Sequence, residues 1–188
     1  MVKKKSNNQI RIIGGTHKRS LIHFPSIEGL RPTPDRVRET LFNWLGQDLT
    51  GQVILDLFAG SGALGFEAAS RGAKKVTLIE CNAQIVRMLL ENQHRLQFDQ
   101  IDIIKQDALS FLKKMPIAPY NIIFLDPPFN TNCWDEIWKA LLPIVKVDTL
   151  IYVEAPFVPQ IPASFEVIRS GCAGQSKQWL LNVVESDS

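Results

Sequence analysis

An α/β fold built on one mostly parallel sheet is predicted by three observations on this 188-residue chain. Apolar, β-branched runs alternate with stretches of helical period from residue 53 to residue 153, the pattern of parallel strands joined by crossover helices. A glycine-rich turn, Gly60-Ser61-Gly62, separates the first of those runs from the helical stretch after it. Two strand-like runs, 165–169 and 178–184, then close the chain with no helix between them, which fits an antiparallel hairpin.

The elements follow in order. Residues 9–14 and 20–24 read as a small hairpin around Gly14-Gly15, with Lys18 and Arg19 near its tip. Thr33 offers the side-chain oxygen of a helix N-cap and Pro34 the fixed φ of a first helical position. That helix runs to about Leu45, with Val37, Leu41, Trp44 and Leu45 on one face. Val53-Ile54-Leu55-Asp56 is a strand, and the helix after the glycine turn carries Phe66, Ala68 and Ala69 towards Gly72. Strands are predicted at 75–80, 101–105, 121–125 and 149–153, and helices at 83–96, 109–114 and 134–145.

The chain divides into a basic N-terminal arm and hairpin, residues 1–32, and a single α/β domain, residues 33–188. No apolar run approaches the roughly 18–20 residues that span a bilayer, so no membrane partner is expected. The basic start, Met1-Val2-Lys3-Lys4-Lys5, lacks the apolar stretch of a signal peptide. Cys81, Cys133 and Cys172 are widely spaced and form no Cys-x-x-Cys pair, which points to reduced thiols in a cytoplasm and to no zinc site. Nothing in the sequence demands a dimer, and a monomer is expected. Charge is uneven: residues 1–38 hold nine basic side chains against Glu28 and Asp35, +7 of a net +2, which leaves −5 for the rest. A basic arm on a mildly acidic body is the footprint of phosphate-backbone contact, carried by Arg11, Lys18, Arg19, Arg31, Arg36 and Arg38.

Two motifs carry the chemistry. Asp126-Pro127-Pro128-Phe129 follows the apolar run Ile122-Ile123-Phe124-Leu125, and its prolines end the strand and stiffen the backbone. A carboxylate and a rigid carbonyl are thereby presented at a strand's C-terminal end, where open α/β sheets bind ligands. Such a cluster accepts both hydrogens of a planar NH2 group while a flat ring stacks on Phe129, as suits a nucleobase or an amide. An ordinary turn after a strand is the alternative for this tetrad taken alone. The second motif runs from Asp56-Leu57-Phe58-Ala59 through Gly60-Ser61-Gly62 to Gly65. Its spacing matches the dinucleotide fingerprint, with Glu80 placed for a ribose contact, so a nicotinamide or flavin enzyme must be weighed. Asp56, however, ends the strand four residues before Gly60, and a carboxylate there repels a pyrophosphate. It suits the ammonium of S-adenosylmethionine, which has no phosphate.

These stretches resemble class I S-adenosylmethionine-dependent methyltransferases, and specifically the RsmD family of small-subunit rRNA guanine-N2 methyltransferases. The resemblance rests on Arg11-Ile12-Ile13-Gly14-Gly15, on the segment from Gly29-Leu30-Arg31-Pro32-Thr33-Pro34-Asp35-Arg36-Val37-Arg38 to Leu45, on Asp56 to Gly65, and on Asp126 to Phe129. It implies a Rossmann-like, seven-stranded, mostly parallel sheet ending in an antiparallel hairpin. The family's Arg-Gly-Arg after the double glycine is Lys18-Arg19-Ser20 here, so the charge is kept and the glycine is not.

Residue roles follow from the same resemblance. Asp56, Phe58, Gly60, Ser61 and Gly62 would hold the methionine part of S-adenosylmethionine, and Glu80 its ribose hydroxyls. Cys81 would lie beside the adenine, with Asp107 and the Ala108 N–H at its edge. Asp107 also sits where a helix N-cap belongs. Asp126 and the Pro127 carbonyl would orient the N2 amine of a flipped guanine in 16S rRNA of the small subunit or an assembly intermediate, with Pro128 and Phe129 against the ring. The reaction needs no metal and no covalent intermediate. Two other readings stay open: methylation of a DNA adenine or a protein glutamine, and a non-catalytic module that binds S-adenosylmethionine and RNA. Trp134 and Trp138, one helical turn apart, read as core.

Overall fold

The structure of the protein, a computed structural model, describes residues 8–114, 120–128 and 133–184. A two-stranded antiparallel ribbon comes first: β1 (Asn8–Arg11) pairs with β2 (Leu21–Phe24), Asn8 opposite Phe24 and Arg11 opposite Leu21. Helix α1 (Asp35–Leu45) then leads into β3 (Val53–Asp56), α2 (Ala63–Ser70), β4 (Lys75–Glu80), α3 (Ala83–Leu96) and β5 (Ile101–Lys105). The chain continues with α4 (Ala108–Lys114), β6 (Ile122–Leu125), α5 (Trp134–Leu141) and β7 (Leu150–Ala155), and closes with β8 (Phe165–Ala173) and β9 (Ser176–Val183).

The main sheet has seven strands in the order β5-β4-β3-β6-β7-β9-β8. The first five in that order are parallel, and β9 runs antiparallel to both β7 and β8. The chain moves outward from β3 through β4 to β5, then returns to lay β6 on the other side of β3. The direction of winding therefore reverses between β3 and β6, and in open α/β sheets that crevice is where ligands bind.

Strand periodicity of two builds the two halves of the core. Ile54, Val76, Leu78, Ile122, Phe124 and Tyr152 face α1, α2, α3 and the ribbon. Leu55, Ile79, Ile123, Leu125, Ile151 and Val153 face α4 and α5, where Trp134 and Trp138 stack with ring centroids 5.6 Å apart. The tryptophan pair is core, as its spacing implies. Both sheet faces are covered, which is why the parallel strands read as near-continuous apolar runs.

Several boundaries differ from the sequence reading for identifiable reasons. Pro34 has ψ 151°, outside the helical region, so it occupies the N-cap and α1 begins one residue later. The Thr33 side chain makes no capping bond; its backbone oxygen instead accepts the Arg38 Nε hydrogen at 3.2 Å. The buried face of α1 is Val37, Arg38, Leu41 and Phe42, while Trp44 and Leu45 are half-buried. Helix α5 stops at Leu141 rather than 145, because Pro143 lacks the N–H that would continue the ladder. Strand β8 extends to Ala173, past a bulge between Val167 and Arg169 that shifts its register against β9. Among the described residues no helix is long and apolar enough to cross a membrane.

Candidate active site

Asp56 and Asp126 come from the two strands that flank the switch point. In the β3–β6 register Asp56 lies opposite Phe124, so Asp126 sits one two-residue step beyond it on the same side of the sheet. Asp56 is only 2 % exposed and its Oδ2 has no hydrogen-bond partner among the described residues. Burial pushes its carboxyl up to about 7; the Glu80 carboxylate adds to the rise, and the nearby N–H groups of Gly65 and Phe58 oppose it. A buried, unsatisfied acid at this position calls for a polar or cationic partner.

The turn after Asp56 is held by the sheet itself. The Leu57 N–H donates to the Phe124 carbonyl at 3.1 Å and the Ala59 N–H to the Ile79 carbonyl at 2.9 Å. Gly62 has φ 79°, and a Cβ there would meet Leu89 and Phe66 at 2.7 Å, so only glycine fits this corner at the start of α2. Gly65 lets α2 close on β4: a Cβ would lie 2.2 Å from Leu78 Cδ2. Ser61 is buried, and its Oγ accepts the Ala63 N–H at 3.4 Å. Phe58 is half-buried against the α4–α5 side of the core.

Glu80, at the end of β4, is half-exposed and holds the turn in place. Its Oε2 accepts the Gly60 N–H at 3.1 Å and its Oε1 the Asn82 N–H at 2.8 Å. Asn82 caps α3 through bonds from the Gln84 and Ile85 N–H groups. Cys81 is exposed, with its thiol pushed up by burial and by Glu80. Asp107 is exposed at the head of α4; its Oδ1 accepts the Ser110 N–H at 2.8 Å, so the capping role is real and the side chain still faces solvent. Ala108 is buried directly after it. Asp56, Glu80, Asp107 and Asp126 thus stand at the C-terminal ends of β3, β4, β5 and β6 in turn.

Asp126 is half-exposed, Pro127 buried and Pro128 exposed. Phe129 lies outside the described residues. Burial drives the Asp126 carboxyl well above the usual carboxylate range, reinforced by the charges of Glu154 and Asp56. Glu154, at the end of β7, is a site residue that the sequence reading missed. It is 4 % exposed, and its carboxylate accepts hydrogen bonds from the Tyr152 hydroxyl at 3.0 Å and the Ser176 hydroxyl at 2.6 Å. A small cleft opens here between Pro127-Pro128 and Pro156-Phe157, floored by Trp134 and Glu154. Its signal was available: Glu154 is a lone acid ending an apolar strand, as Asp56 and Asp126 are.

The basic arm divides into two groups. Lys18, Arg19, Arg31 and Arg36 are exposed, and among the described residues none pairs with a carboxylate. Arg19 has φ 77°, a left-handed conformation that favours glycine, at the place where the resembling family has one. Arg11 is exposed, with one guanidinium nitrogen 3.6 Å from Asp35. Arg31 follows Leu30, whose Cδ1 lies against Gly60, so the segment before α1 passes over the glycine turn. Arg38 corrects the sequence reading. Its side chain is fully buried and donates to Glu67 Oε2 (3.1 Å), Asp35 Oδ1 (2.6 Å), the Thr33 oxygen and the Arg11 oxygen, so no phosphate reaches it. An arginine two residues from exposed Arg36 lies on the opposite side of α1, yet the two look alike in sequence; the distinguishing signal is Glu67, a single charge in the apolar helix α2.

A glycine turn, an unsatisfied buried acid and a half-exposed glutamate on the next strand fit the methionine and ribose ends of S-adenosylmethionine, the cofactor of class I methyltransferases. Comparison with known proteins agrees. The model of a family described as "Conserved hypothetical protein 95" matches residues 10–182. Ribosomal RNA small subunit methyltransferase D of Escherichia coli (strain K12) is 41% identical over 181 residues, covering 92% of this chain and 91% of that protein. Its counterpart of the same name from Haemophilus influenzae is 42% identical over 154 residues, 79% of this chain and 80% of that protein. The solved structure of yhhF from Escherichia coli superposes with a TM-score of 0.84 at 40% identity, over 94% of this chain and 98% of that one. By fold, by site and by these likenesses, the chain belongs to the RsmD family of methyltransferases.

Proposed function

We propose that this protein transfers a methyl group from S-adenosylmethionine to the exocyclic N2 of one guanine in the 16S rRNA of the small ribosomal subunit or of an assembly intermediate. The observation that carries this reading is the Asp126-Pro127 pair set across the switch point from the glycine turn. The near full-length similarity to ribosomal RNA small subunit methyltransferase D of Escherichia coli supports rRNA as the substrate class.

S-adenosylmethionine supplies an electrophilic methyl group on a sulfonium; the protein positions and deprotonates. The turn from Asp56 through Phe58, Gly60, Ser61 and Gly62 holds the methionine end, Glu80 the ribose, and Cys81, Asp107 and the Ala108 N–H the adenine. The target base leaves its stack to reach the site. Asp126 and the Pro127 carbonyl accept its two N2 hydrogens, which turns the nitrogen lone pair towards the methyl group and stabilises the positive charge that develops. Pro128 and Phe129 hold the ring, a contact worth about 1–3 kcal/mol for base–aromatic stacking. Arg11, Lys18, Arg19, Arg31 and Arg36 take phosphates, with residues 1–32 acting as the RNA-facing arm of a monomer that works in the cytoplasm.

The experiment is transfer of labelled methyl from S-adenosylmethionine to small subunits that lack the modification, followed by nucleoside analysis. Labelled N2-methylguanosine at one position is the expected result, and Asp126→Ala abolishes it while S-adenosylmethionine binding persists. No label in RNA, with S-adenosylmethionine binding confirmed separately, overturns the guanine assignment and turns attention to DNA adenine or a protein amide as the acceptor. Turnover undiminished by Asp126→Ala overturns the mechanism.

A further inference from the structure

Asp126 is not alone at its end of the sheet. In the β6–β7 register Phe124 lies opposite Tyr152 and Leu125 opposite Val153, so the next step places Asp126 beside Glu154. Tyr152 and Glu154 are two residues apart and leave the same face of β7. Glu154 is fixed from both sides: Tyr152 donates to its Oε2 and Ser176 to its Oε1. Ser176 is held in turn by Gln178, which lies opposite Glu154 in the β7–β9 pairing and donates to the Ser176 hydroxyl at 3.0 Å. Asp56 approaches from β3, with Glu80 beyond it on β4. No lysine, arginine or histidine among the described residues forms an ion pair with Asp56, Asp126 or Glu154. Recessed carboxyls so placed cannot all ionise, and neighbours of this kind titrate as a pair.

We propose that Glu154 and Asp126 act as one proton-holding pair, Glu154 being the positioning partner through which the carboxyl that aligns the acceptor nitrogen also takes up its proton. This rests on the methyl-transfer reading above. Before reaction the pair shares one proton and carries one negative charge, directed to Asp126 when that carboxyl accepts an N–H of the substrate. The N–C bond forms as the C–S bond breaks with its electron pair going to sulfur, and the nitrogen becomes positively charged. Its proton then passes to Asp126, leaving the nitrogen neutral and both carboxyls protonated. Asp126, half-exposed where Glu154 is 4 % exposed, returns the extra proton to solvent. A buried like-charged neighbour raises the affinity of a carboxylate for a proton, and both burial and Glu154 act on Asp126 in that direction.

Glu154→Gln keeps the shape and an acceptor oxygen but removes the ionisation. Carbon-13 carboxyl titration of the ligand-free protein by NMR reads the pair directly. In the wild type Asp126 takes its proton well above the ordinary carboxylate range, and in Glu154→Gln that titration falls by about one pH unit or more. The acid limb of single-turnover methyl transfer to under-modified small subunits moves down with it, while S-adenosylmethionine affinity by calorimetry stays within about twofold. Ser176→Ala, which takes one hydrogen bond from the Glu154 anion, shifts Asp126 the same way by less and serves should Glu154→Gln not fold. An Asp126 titration unmoved by both substitutions overturns the pair, as does an acid limb that stays in place when the titration moves. A wild-type protein that shows the NMR coupling but never labels guanine refutes the substrate reading and leaves the pair standing.

Discussion

Arg38→Met tests whether the last arginine of the basic segment serves the fold or the RNA. In the structure its guanidinium is fully buried and donates to four acceptors: Glu67 Oε2, Asp35 Oδ1 and the backbone oxygens of Thr33 and Arg11. Methionine fills much of the space and supplies none of the donors. Removing one member of a buried ion pair costs about 3–5 kcal/mol when the remaining charge is stranded. Glu67 is not fully stranded, because Arg71 Nε donates to its Oε1 at 2.9 Å and the Ile13 N–H to its Oε2 at 2.9 Å. The lower end therefore applies, about 3 kcal/mol. For a chain of this length that lowers Tm by roughly 6–12 °C. Calorimetry gives the Tm, and RNA binding measured across a range of salt concentrations gives the number of phosphates neutralised. The expected outcome is a large fall in Tm with an unchanged salt slope. A Tm within about 2 °C of wild type, together with a shallower salt slope, would refute the structural assignment and return Arg38 to the RNA.

Arg31→Ala and Arg36→Ala should behave in the opposite way: Tm within about 2 °C of wild type, and a salt slope for RNA binding reduced by about 0.7–0.9 for each phosphate that is no longer neutralised. An unchanged slope in both variants would remove this segment from the RNA interface. Asp56 should make the ligand-free protein lose stability as pH rises. Its folded carboxyl titrates at about 7 against 3.8 unfolded, so the folded state holds the extra proton and its advantage is present below about pH 4 and gone by about pH 7. Asp56→Asn removes this loss, on the order of a few kcal/mol, and flattens Tm against pH across that window; a variant whose Tm follows the wild-type curve throughout would refute it.

The sheet was legible because its signals are local. Lys75–Glu80, Ala83–Leu96 and Ile101–Lys105 coincide with the residues that the sequence pattern marks, since each strand carries a short apolar run bounded by polar residues and the helix pattern is uninterrupted. Asp126 and the glycine turn were legible for the same reason: prolines and glycines punctuate a backbone that bends at those points. Partnership between distant residues was not. Nothing adjacent to Arg38 says that Glu67, 29 residues on, will meet it in the core. Glu154 is placed by Ser176 and Tyr152 through strand pairing, and its meaning depends on Asp126 on the neighbouring strand, far earlier in the chain. Boundaries moved where one residue's backbone chemistry outweighed the pattern, as at Pro34 and Pro143.

The double glycine of the arm shows how the same residues can serve a different purpose from the obvious one. Gly14-Gly15 reads as the turn of a hairpin, yet the pressing constraint at Gly15 is close approach. A Cβ there would lie 1.8 Å from the Ser70 backbone oxygen, and one at Gly14 would strike the Arg71 guanidinium. The arm is laid directly on the C-terminal end of α2, where Thr16 N–H donates to the Ser70 oxygen at 2.7 Å, His17 N–H to the Ser70 hydroxyl at 2.9 Å, and that hydroxyl to the Gly14 oxygen at 2.6 Å. Asn92 of α3 fixes the other strand of the ribbon through both backbone groups of His23. The N-terminal end of α2 is the glycine turn of the cofactor site, and its length, about 12 Å, is that of a rigid two-turn rod. Exposed Lys18 and Arg19 at the tip of the ribbon are therefore held at a set distance from the methyl-transfer site by a helix whose only charge, Glu67, is locked between Arg38 and Arg71. The basic tip of the arm is thus a fixed part of the domain, tied by backbone hydrogen bonds to the helix that starts at the glycine turn, and not a loosely tethered tail.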